Sequence, residues 1–100
     1  MFDDILKLDA TDQADLIARG EIAPLELVEA TIARIEQLNP TLNAVITPLY
    51  DEARLQATSP QLPKGPFRGV PLLLKDFLCE VAGTPYYAGM QPGRAMYSQK

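Results

Sequence analysis

At 100 residues, 47% of them hydrophobic and 22% charged, the chain has the composition of an ordinary soluble protein and room for one small core at most. A net charge of −4, with nine basic residues scattered from Lys7 to Lys100, leaves no footprint for a polyanion, so nucleic acid is excluded as an expected partner. With no histidine and the single cysteine Cys79, the residues cannot assemble a Ser-His-Asp or Cys-His nucleophile or an internal disulfide, and they give no reason to invoke a metal or organic cofactor.

The opening Met1-Phe2-Asp3-Asp4-Ile5-Leu6 places two acids where a secretory leader needs positive charge, and no apolar run approaches the roughly 18 residues of a membrane span. The expectation is a cytoplasmic protein without a membrane partner. A first helix is expected over about 11–19, capped by Asp9 or Thr11 and stopped at Gly20. A second is expected over about 24–39, with Pro24 at its first position, Glu26 and Glu29 near the positive end of its dipole, and Asn39-Pro40 as its stop. At a helical step Leu27, Val28, Thr31, Ile32, Ile35 and Leu38 share one arc, opposite Glu26, Glu29, Ala33, Glu36 and Gln37.

Beyond Pro40, Leu42 to Thr47 reads as a short strand ended by Pro48, and Asp51 to Ala57 as a further short helix. Residues 58–66 hold three prolines and a glycine and read as an exposed loop. A strand is expected over 70–75, because Val70-Pro71-Leu72-Leu73-Leu74 is short, apolar and bounded by breakers. Alternation puts Val70, Leu72 and Leu74 on one face and Leu73 and Lys75 on the other, so the strand should be covered on both sides, as in layered α/β sheets. From Glu80 to Arg94, glycines and prolines make an irregular loop anchored by Tyr86 and Tyr87.

Lys75 is the residue that needs explaining. An ammonium after three leucines is costly to bury unless it is paired or loses its proton. Spacing alone favours the structural reading, in which the stem packs on apolar neighbours and the charge reaches water or Asp76. The functional reading is a lysine of lowered pKa acting as a base at the carboxyl end of a strand, where open α/β sheets place their sites. Asp76, turned away from Lys75 by alternation, reads as a structural carboxylate.

The stretch Phe67-Arg68-Gly69-Val70-Pro71-Leu72-Leu73-Leu74-Lys75-Asp76 resembles the amidase-signature motif of Gly, an aliphatic, Pro, three small or aliphatic residues, then Lys-Asp. Val81-Ala82-Gly83-Thr84-Pro85-Tyr86-Tyr87-Ala88-Gly89 is similar to the glycine-containing loop that follows that lysine. Leu25-Glu26-Leu27-Val28-Glu29-Ala30, Ile35 and Leu42-Asn43-Ala44 match the family's amino-terminal helix and first strand.

The resemblance implies an α/β fold in which residues 1–100 form the amino-terminal helices and first strands of one mixed-sheet amidase domain, incomplete in this chain. It implies a hydrolase that cleaves the carbon-nitrogen bond of a small carboxylic amide, linear or cyclic, through a serine acyl-enzyme. The family's triad is a nucleophilic serine, a second serine preceded by a cis peptide bond, and a lysine, and by motif position that lysine is Lys75. The Leu72 to Leu74 run would supply the apolar setting that lowers its pKa.

The family's Gly-Ser-rich nucleophile stretch has no counterpart here. Ser59 lies in the proline-rich loop and Ser98 near the end, neither in a glycine-rich setting fit for an oxyanion hole. Family members are several times longer, so the expectation is a fragment or truncated product that is inactive alone and needs the remainder of an amidase chain. Tyr86-Tyr87 stand where threonines are usual and Met90 where serine is common, which would favour hydrophobic or aryl amides. Cys79, without a histidine partner, reads as a buried small hydrophobe.

Two other readings stay open. Within the same superfamily is the ammonia-producing component of a glutamine-dependent aminoacyl-tRNA amidotransferase. From another class is a non-catalytic helical interaction module, or truncated remnant, that docks a partner with the arc from Leu27 to Leu38. Homodimerisation is left open by the sequence.

Overall fold

The computed structural model describes residues 2–74, 85–86 and 96–97, and what it describes is helix-rich. The helices are α1 (Phe2–Leu6), α2 (Ala10–Ala18), α3 (Pro24–Leu42) and α4 (Tyr50–Thr58), followed by two-residue strands β1 (Pro85–Tyr86) and β2 (Met96–Tyr97). The strands pair antiparallel, Pro85 opposite Tyr97 and Tyr86 opposite Met96.

Local chemistry sets the ends of α2. The Asp9 carboxylate accepts the Asp12 N–H at 2.9 Å, which satisfies one orphan donor of the first turn. At the other end Gly20 takes φ +74°, and its N–H donates to Ile17 O while Glu21 N–H donates to Leu16 O, each at 3.0 Å. That pair of bonds is a Schellman closure, which needs a residue at ease with positive φ. The Gln13 side chain donates to Ile5 O at 3.0 Å, tying α2 to the end of α1.

The longest helix, α3, starts at Pro24, whose missing N–H costs nothing at a first position. Ala23 offers no capping side chain, but its own N–H donates to Glu26 Oε1 at 3.0 Å, so the carboxylate both closes the turn and meets the positive end of the dipole. Leu27, Val28 and Ile32 are buried and, with Ala14 and Ile22, make the core among the described residues. Thr31 and Ile35 are half-buried beside them, and the Thr31 hydroxyl donates back to Leu27 O at 2.8 Å. Glu26, Glu29, Ala33, Glu36 and Gln37 lie on the more open side of the helix.

Two sequence expectations require correction. The helix does not stop at Asn39-Pro40 but runs to Leu42, with Pro40 inside it and Asn43 ending it at φ +50°. So near the carboxyl end, proline removes one helical bond and no longer chain of them, and Asn43 N–H still closes on Asn39 O at 2.7 Å. Nor is Leu42 to Thr47 a strand. The Asn39 side chain accepts the Val45 N–H at 2.9 Å and donates to Val45 O at 2.8 Å, occupying both groups that a ladder partner would need.

Asp51 and Glu52 occupy the first turn of α4, where acids suit the dipole. This helix buries none of its residues, yet it packs on α3, and Arg54 joins the two by pairing with Glu29 while also reaching Asp51 at 3.3 Å. The guanidinium is held above its ordinary value chiefly by its hydrogen bond to Glu29, so it stays charged at any working pH.

The expected strand at 70–75 is also not found where it can be described. Residues 70–74 join no ladder, and Leu72, Leu73 and Leu74 are 79%, 66% and 55% exposed. A strand exists only through its partner's hydrogen bonds, and the described residues place no partner beside this one. The α/β expectation thus meets a helix-rich amino-terminal part, with one short strand pair far along the chain. None of the described helices is long and apolar enough to cross a membrane.

Candidate functional site: the lead-in to Lys75

The connection that delivers the chain to the lysine segment is built from local turns. Leu62 N–H donates to Ser59 O at 3.2 Å, Arg68 N–H to Gly65 O at 3.3 Å and Val70 N–H to Phe67 O at 3.1 Å. The Arg68 guanidinium crosses back to Leu62 O at 2.8 Å, stitching the loop shut. Ser59 is part of this scaffold: its hydroxyl oxygen accepts the Gln61 N–H at 3.1 Å. That is turn chemistry, and among the described residues it places no second serine or base beside the hydroxyl.

Gly69 is the point where the segment meets the helical body. Its φ is +86°, and a Cβ built there would lie 2.9 Å from Pro24 Cγ, 3.0 Å from Pro24 Cβ and 3.1 Å from Ile17 Cδ1. Two independent constraints therefore act on one residue, the backbone sign and the lack of space, and both select glycine. Val70 and Pro71 follow half-buried, and from Leu72 to Leu74 the side chains are exposed.

Sequence reasoning treats Gly69 as a breaker and Pro24 as a helix starter, and misses that they touch. The only local signal is a glycine directly ahead of an apolar run. Which residues wall it cannot be read locally, because Ile17 and Pro24 lie on separate elements far upstream.

Lys75, the expected base, lies outside the described residues, as do Asp76, Cys79, Glu80, Tyr87, Met90 and Ser98. Of the glycine-containing loop, Pro85 and Tyr86 are described through their backbone pairing with β2. Among the described residues no group of His, Cys, Asp or Glu is placed to hold a metal ion. Two open surface depressions, one along Pro48 to Arg54 and one at Leu25, Glu26, Glu29 and Ala30, include no described residue of the lysine motif.

A glycine at positive φ, a Val-Pro step and an apolar run lead in sequence to Lys-Asp. The family model described as Amidase matches residues 26–99, nearly three quarters of the chain, and the chain belongs to the amidase family. Over 68 residues it is 54% identical to the 6-aminohexanoate-cyclic-dimer hydrolase of Pseudomonas sp. (strain NK87), a match that takes in 68% of this chain and 13% of that protein. It is 33% identical over 93 residues to an acylamidase of Rhodococcus erythropolis, covering 85% of this chain and 19% of the relative. It is 42% identical over 82 residues to a putative amidase of Mycobacterium bovis (strain ATCC BAA-935 / AF2122/97), covering 82% and 17%. A glutamyl-tRNA(Gln) amidotransferase component of Halorhodospira halophila (strain DSM 244 / SL1) is 39% identical over 85 residues, covering 78% and 18%. The chain thus spans less than a fifth of the length of these relatives. No solved structure matches it.

Proposed function

We propose that this chain is the amino-terminal part of a single amidase domain, acting with the remainder of such a domain to hydrolyse the carbon-nitrogen bond of a small carboxylic amide, with Lys75 as the base. The observation that carries the reading is the family match over 26–99, which spans the whole Gly69-to-Asp76 motif. In the triad implied by the resemblance, the neutral amine of Lys75 takes a proton relayed through a second serine, so that the nucleophilic serine attacks the amide carbonyl. The amine leaves, and water releases the acid from the acyl-enzyme. Both serines are supplied from outside the motif segment, and the 100 residues alone are expected to be inactive.

The 54% identity to a 6-aminohexanoate-cyclic-dimer hydrolase supports a cyclic amide within the proposed substrate class. Tyr86, Tyr87 and Met90 agree with an apolar lining. The mixed-sheet α/β fold and a cytoplasmic location belong to the same proposal. A glutamine-dependent amidotransferase component is the second reading, favoured by the 39% identity to the Halorhodospira protein. Release of ammonia from glutamine, against cleavage of a cyclic or aryl amide, separates the two.

The first test is the intact mass of the native protein, since a mass well above 11.0 kDa is what room for the serines of the mechanism requires. In that native protein Lys75→Ala should lower amide turnover by about 10³-fold or more while the melt is retained. Lys75→Arg should not restore it, because a guanidinium does not give up its proton at working pH. Turnover within a few-fold of wild type in Lys75→Ala would remove the lysine from the mechanism.

A further inference from the structure

We draw no further inference here: the strongest candidate, the exposed apolar surface at Phe67 and Leu72 to Leu74 on either side of the Gly69 turn, carries nothing because nothing in the structure shows what covers it.

Discussion

Gly20 and Gly69 both take positive φ, +74° and +86°, for different reasons. Gly20 closes a helix end over open space, so only backbone strain opposes a side chain there, whereas Gly69 faces Pro24 and Ile17. Asn39 is a further residue whose role exceeds its position in the chain, since its amide pairs with both backbone groups of Val45. Replacing it should leave a part-buried N–H and carbonyl unpaired, and we expect Asn39→Ala to lower the unfolding free energy of the native protein by about 1–3 kcal/mol. Faster amide exchange at Val45, measured alongside urea unfolding, checks that the loss is local to that bridge.

At the scale of elements, α3 is the helix on which two of the other described helices pack. It packs against α1 and α4, and Glu29 and Arg54 tie it to the latter. Leu27 is the one large side chain buried completely among the described residues, so truncating it removes buried methyl groups and leaves a cavity. Leu27→Ala should therefore cost the native protein about 2–5 kcal/mol of stability in urea unfolding, and no comparable loss should follow Leu38→Ala on the exposed end of the arc. The exposed Arg54 pair contributes little and should weaken in salt.

The same element shows what is legible and why. The arc of α3 lies in side-chain spacing, which a helix converts directly into a face. The caps Asp9 and Gly20 act on groups within a few residues, so their chemistry is visible locally. The end of α3 escapes such reading because the cost of a proline depends on its distance from the helix end, and because Asn39 binds Val45 across a turn that no periodicity announces. For the candidate site, the lysine motif is legible through its resemblance, while the wall behind Gly69 is not.

For the whole molecule, the core among the described residues consists of Ala14, Ile22, Leu27, Val28 and Ile32, and large apolar side chains remain outside it. Phe67 is 53% exposed close in sequence to the exposed Leu72 to Leu74 run, an arrangement that suits a larger assembly better than a free-standing module. The isolated 100-residue chain should accordingly melt broadly, bind a hydrophobic dye and self-associate. A sharp monomeric transition would instead favour the helical interaction module and count against the amidase segment as proposed.

By itself the sequence determined local matters: the caps at Asp9 and Gly20, which side of α3 is apolar, and which motif carries the candidate base. These depend on residues near one another in the chain, so short-range sterics and hydrogen bonding suffice to specify them. Only the tertiary structure decided that Arg54 would bind Glu29, and that Pro24 and Ile17 would close on Gly69. Each of these pairs residues from different segments, and such proximity is set by how the helices pack, which no local pattern encodes.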